Sequence, residues 1–245
     1  MGEQVNYERI IRCKYYPYYF PKDRAPAALY MDAANVDSGY DGNAFTIDGN
    51  DHTATGGPLA AGDDKYGVVT TSDTASDGVK AGLTTHQQKR IKGLGATPSV
   101  ATDPTVPVDI DAYSAQLDEI ADIYHPTSIK LSGEEYSMGS EDYPVIAVIN
   151  GDLEVTGDFR GYGILDIRGS LLAGHGTVVW TGLMIVHGEE TWISGTPDVI
   201  GSLWIKSDNV TLRVSGNPSI LYSTEALSLH GNPGFYLDMS TWEEL

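Results

Sequence analysis

The sequence predicts a mainly β protein: a short right-handed parallel β-helix of about five 18–19 residue coils, preceded by a mixed α/β flank. Three observations carry that expectation. Glycines recur in register: Gly133, Gly151, Gly169 and Gly188 stand 18, 18 and 19 residues apart, with Ser207 in the next equivalent place. Gly163, Gly182 and Gly201 form a second series, at intervals of 19 and 19. Two residues before each member of the first series stands an apolar side chain: Leu131, Ile149, Ile167, Val186 and Ile205.

Each repeat is a few short β-branched segments broken by glycines, too short to bury an apolar face alone. Stacking buries Ile149, Ile167, Val186 and Ile205 as one inward ladder, with strands about 4.8 Å apart and a body roughly 20 to 25 Å long. Glycine suits the corners, where the backbone needs positive φ or close approach. The 28 glycines and 12 prolines call for many turns. A Greek-key sandwich is the competing fold, but it requires no such glycine register.

In chain order, residues 1–24 read as an N-terminal arm and 25–128 as a mixed region that flanks or caps the first coil. Residues 129–225 read as the β-helix and 226–245, rich in large apolar side chains, as a cap on the last coil. Within the flank, a short helix is expected around Thr84–Lys92. A second is expected where Ile110, Tyr113, Leu117, Ile120 and Ile123 share helical spacing, ending at His125 before Pro126.

Charge and composition narrow the function. A net charge of −19 opposes nucleic acid and anionic membrane surfaces. The single cysteine, Cys13, excludes an internal disulfide and a cysteine-based zinc site. No apolar run is long enough to span a membrane, and no signal peptide is visible at the start.

The chemistry-bearing words are few. Paired acids (Asp63, Asp64), a Gly174-His175-Gly176 and an Arg90-Ile91-Lys92 are the vocabulary of polygalacturonase-type glycan hydrolases. Their order is wrong here, since the basic pair precedes His175 by 85 residues instead of following it. His175 therefore reads as a residue at a glycine-flanked turn. Asp48, Asn50, Asp51 and His52 crowd one loop, but the glycine and glutamate of an EF-hand are misplaced or missing. That loop reads as a turn, with no cofactor and room only for weak Ca²⁺ binding. Trp192 and Trp204 fall in consecutive repeats and suit core packing better than a sugar platform.

The stretches ALYMDAANVDSGYDGNAFTIDGNDH, SVATDPTVPVDIDAYSAQLDEIAD and VINGDLEVTGDFRGYGILDIRGSLLAGHGTVVWTGLMIVHG, with the late ILYSTEALSL and STWEEL, resemble bacterial PilX-like (pilus-assembly) surface proteins. The resemblance covers about residues 28–245. It implies a hydrophobic pilin-like N-terminal helix, a β-helical body and surface or pilus association, and it implies no reaction. Residues 1–24 depart from it, because they contain no membrane helix.

The arm carries five basic side chains against three acidic ones on an otherwise acidic chain. Tyr7, Arg9, Ile11, Arg12, Lys14, Tyr15, Tyr16, Tyr18, Tyr19 and Phe20 are the expected subunit contacts, suited to strand addition and charge complementarity. The expected function is a non-enzymatic structural protein of the cell surface or extracellular space, a pilus- or filament-associated subunit. Its expected partners are other copies of itself or filament components, with no nucleic acid and no membrane span. The rival is a carbohydrate-binding or polysaccharide-degrading β-helix using Asp63, Asp64, His175, Trp192 and Trp204.

Overall fold

A computed structural model describes residues 25–59, 62–103, 105, 109–133, 135–174 and 176–229. The first part of the chain forms β1 (Ala27–Asp32), β2 (Asn35–Asp41), β3 (Thr46–Asp48), β4 (Tyr66–Thr70), α1 (Asp73–Ala81) and α2 (Thr85–Gln88). It continues with β5 (Ile91–Lys92), β6 (Val100–Thr102) and α3 (Ile110–Ile120). Short strands follow: β7 (Ile123–His125), β8 (Ile129–Leu131), β9 (Tyr136–Met138), β10 (Val145–Ile149) and β11 (Leu153–Val155). The last part holds β12 (Phe159–Ile167), β13 (Leu171–Ala173), β14 (Val178–Val186), β15 (Glu190–Gly195) and β16 (Asp198–Lys206). It closes with β17 (Asn209–Gly216), β18 (Ser219–Tyr222) and α4 (Thr224–Leu227).

The class is mainly β, with two parallel sheets. One runs β5-β3-β18-β16-β14-β12-β10-β7, with β1, β4, β6 and β9 branching from it. The other runs β2-β17-β15-β13-β11-β8. Both orders follow from the repeat. The chain visits one sheet, then the other, and each return lands one strand further along.

The expected ladder is present: Ile149 pairs Ile167, Ile167 pairs Val186, and Val186 pairs Ile205. All four are fully buried, and Met31 of β1 continues the column. Burial of each such side chain contributes about 1.5–3 kcal/mol relative to exposure. The second glycine series runs through β12, β14 and β16, which are nine residues long each. Gly163, Gly182 and Gly201 pair in register with φ of 119°, 132° and 135°. Below the glycine β12 pairs β9; beyond it, β12 pairs β10. A Cβ on Gly182 would stand 2.0 Å from the Gly163 carbonyl oxygen, so the corner admits no side chain.

The first part of the flank sits at the opposite end from the one expected. Strands β1, β2 and β3 pair β16, β17 and β18, so residues 27–48 extend the last repeat and not the first. Beyond them, β4 pairs β1 and β5 pairs β3, while α1 lies against β2 in place of another strand. Ser38 Oγ donates to the Gly78 carbonyl of α1 at 2.8 Å. The sequence hides this order, because strand pairing is decided by matching surfaces and not by chain position.

Helix α3 is laid along the outer face of the main sheet and leads to β7 at the first repeat. Its apolar stripe of Ile110, Tyr113 and Leu117 is buried, as its spacing predicts. The helix ends at Ile120 and not at His125, because Ile123–His125 pairs β10 as strand β7. The expected helix near Thr84–Lys92 is shorter, Thr85–Gln88, with Thr84 and Gln87 forming its capping box. Helix α1, which begins on an N-cap at Ser72, was not anticipated. Its sequence, DTASDGVKA, holds few strong helix formers.

Candidate functional site

Two regions of the stack carry polar or exposed groups in arrangements that merit a functional reading. The first is the seam between α3 and the main sheet. Asp166 of β12 lies fully buried there, with Oδ1 3.0 Å from His187 Nε2 and Oδ2 3.1 Å from Arg168 Nη2. Arg168 also donates to Asp118 at 2.9 Å and to the Ser114 carbonyl at 2.6 Å. Ser114 Oγ lies 3.0 Å from the same His187 nitrogen that meets Asp166.

Serine, histidine and aspartate thus converge, but the relay of a hydrolase is not made. That relay sets acid and nucleophile on different ring nitrogens, and here both approach Nε2. The other nitrogen stands 3.7 Å from Asp111, and Ser114 is fully buried. The cluster joins α3 to two strands of the sheet.

Further along the seam Lys206 Nζ sits 2.5 Å from Asp32 Oδ2, and Thr71 donates to the other Asp32 oxygen at 3.2 Å. The hydrogen bond to Asp32 raises the Lys206 pKa, and the charges of Asp32, Asp111 and Asp109 add to it against a smaller opposing effect of burial. Burial pushes the Tyr30 hydroxyl up as well. Trp204 packs between Tyr30 and Tyr113, with ring centroids 6.2 and 6.1 Å apart.

The second region is the first-repeat end of the stack. Among the described residues β7, β8 and β9 are each paired on one side only, to β10, β11 and β12. In β7 and β8, Ile123, Ile129 and Leu131 are only half-buried, whereas their register partners Ala147, Leu153 and Val155 are fully buried; Met138 of β9 is buried. Tyr124, Tyr136 and Tyr143 are 51%, 37% and 79% exposed. Tyr136 is the last ring of an interior aromatic column: it tilts over Phe159 at 6.2 Å, and Phe159 stacks on Trp180 at 5.9 Å. His125 Nε2 is buried beside this end without a hydrogen-bond partner among the described residues.

The chemistry candidates from the sequence do not assemble into one site. Asp63 is an exposed acid paired with Lys65 at 2.5 Å. Asp64 accepts the Asp51 N–H at 2.9 Å. Asp51, itself buried, accepts from the Asp63 N–H and from the backbone and hydroxyl of Thr224. These acids tie the 48–64 loop to α4. Asp48 accepts both the backbone and side-chain N–H groups of Asn50, so the carboxylates considered for Ca²⁺ are engaged with protein donors.

Trp192 is 44% exposed on the smaller sheet, whereas Trp204 is buried under α3, so the two form no shared platform. His175 lies outside the described residues, as do all ten expected arm contacts: Tyr7, Arg9, Ile11, Arg12, Lys14, Tyr15, Tyr16, Tyr18, Tyr19 and Phe20. Most of the expected C-terminal cap, residues 230–245, lies outside them too. Glu135, Glu141 and Asp142 are exposed at the first-repeat end.

The seam cluster was missed in the sequence. Its one signal was an acid, Asp166, in a strand otherwise apolar at every position from Ile164 to Ile167.

Among the described residues no helix is long and apolar enough to cross a membrane. No protein-family model matches the chain, and comparison with curated proteins and with solved structures likewise finds no match.

Proposed function

We propose that the chain is a non-enzymatic structural protein of the cell surface or extracellular space, a pilus- or filament-associated subunit that assembles through its N-terminal arm. Its stacked repeats constitute, on this reading, a right-handed parallel β-helix serving as a rigid body. Right-handed crossover is the strong preference for parallel strands joined within one sheet. The likeness to PilX-like surface proteins points the same way.

The observation that carries the proposal is the placement of the first described strand. Ala25 is buried at the start of β1, and β1 belongs to the last-repeat end of the stack. The point at which the arm joins the described chain, Ala25, therefore lies far from the first repeat. A donor segment and an acceptor surface at different places on one subunit make a heterologous contact, which closes into rings or extends into filaments. Two of the residues that would serve glycan chemistry have other occupations: Asp64 accepts the Asp51 N–H, and Trp204 packs against α3.

Sedimentation analysis of the full chain and of a chain lacking residues 1–24 tests the reading. The full chain should grow in mass with concentration, and the truncated chain should stay a folded monomer. Assembly that survives the truncation overturns the role of the arm. A polysaccharide screen covers the rival: turnover that disappears with His175→Ala would overturn the non-enzymatic assignment.

A further inference from the structure

The geometry points to the partner surface of that assembly: the first-repeat end of the stack, edged by β7, β8 and β9, receives the arm of a second copy. This inference rests on the arm-mediated reading above and adds its acceptor.

Four observations converge on that end. Its strand edges are unpaired among the described residues, so backbone N–H and C=O groups are open to an added strand. Its core is unsealed, since Ile123, Ile129 and Leu131 are half-buried where the next layer is fully buried. The other end differs in part: β5 and β6 are edges there too, but α1 covers β2, with Ala75 and Val79 fully buried. The aromatic column Trp180–Phe159–Tyr136 stops at a ring that is 37% exposed, with space for a further aromatic to continue the stacking. The arm brings five candidates in its YYPYYF run, residues 15–20.

Charge selects the same pairing. The end is rimmed by exposed Glu119, Asp122, Glu141 and Asp142, and its nearby cations are already engaged, Arg160 with Glu135 and Lys130 with Glu154. The arm is the net basic part of an acidic chain. Complementary charge of this kind sets orientation and speeds encounter.

Distance and obstruction select a neighbour over the chain's own end. From β1 to β7 the main sheet counts five strand spacings, β1-β16-β14-β12-β10-β7, or about 24 Å. An arm of 24 residues is long enough for that return. However, α3 occupies the direct path, with Tyr113 on Trp204 and Asp118 on Arg168. An arm crossing to the next subunit meets no such barrier.

Cys13 supplies the test, because it is the only cysteine and lies within the arm. Ser137→Cys places a second thiol on exposed β9, and Thr127→Cys places one between β7 and β8. Asp77→Cys, on α1 at the opposite end, is the control. After mild oxidation of the full chain, both acceptor variants should give a ladder of disulfide-linked multimers, several-fold stronger than the control. Adding Tyr136→Ala to the Thr127→Cys chain should weaken that ladder. A fast-migrating, internally linked monomer would overturn the inference in favour of docking within one chain. Concentration-dependent assembly without cross-linking at either acceptor position would overturn the acceptor and leave arm-mediated assembly standing. A chain that stays monomeric at every concentration would remove both.

Discussion

Asp166 is buried beneath α3 with one oxygen facing His187 and the other facing Arg168. Removing one member of such a group strands its partners, and the loss is typically about 3–5 kcal/mol. Asp166→Ala should therefore lower stability by about that amount, read as a shift of the urea midpoint. It should also loosen α3, read as faster amide exchange across Ile110–Ile120. The pair of tryptophans makes the complementary point about legibility. Both occur in consecutive repeats, and their sequence surroundings (TWISG and LWIKS) look alike. Only the path of α3 decides that Trp204 is covered while Trp192 faces solvent.

Among elements, the strands were legible and the connections were not. Glycine spacing located the corners because a residue with positive φ under a neighbouring carbonyl must lack a side chain. The inward ladder was legible for a similar reason: a column of four β-branched residues has one way to stack. Helix α3 was readable from its apolar stripe, but Ile123 extended that stripe into a strand, since the partner β10 outweighs local spacing. The polar seam left little trace, because Ser114, the pair Asp166 and Arg168, and His187 come from three separate stretches of the chain.

The strand pair β1–β16 offers a test at this scale. Lys206 gains its raised pKa from Asp32, so its contribution to stability is fully present below the ordinary lysine value of about 10.4. That contribution fades as pH rises through the higher folded-state value. The stability gap between the native chain and Lys206→Met should accordingly narrow in strongly alkaline solution, as measured by denaturant titration at successive pH values. Lys206 is partly exposed, so added salt should shrink the same gap.

At the scale of the whole molecule, the two ends of the stack are built differently: α1 lies over β2 at one, and among the described residues no helix lies over β8 at the other. The region most distant from the expected order is also the one with the clearest structural role: residues 27–48 close the last repeat by pairing β16, β17 and β18. That placement sets the timetable of folding. The strands synthesised first have their partners some 170 residues later, with Leu29 waiting for Leu203 and Val36 for Val210. Closing contacts of such long sequence separation is slow. During synthesis β1 can pair β4 and β3 can pair β5, but none of them joins the stack until β16, β17 and β18 exist, whereas β10 to β17 can assemble as they emerge. A rearranged chain with residues 25–103 moved behind residue 229 would let every layer follow its neighbour in time as well as in space. It should refold markedly faster than the native order in stopped-flow fluorescence, with Trp204 as a reporter. The native chain instead makes its own beginning wait for its end.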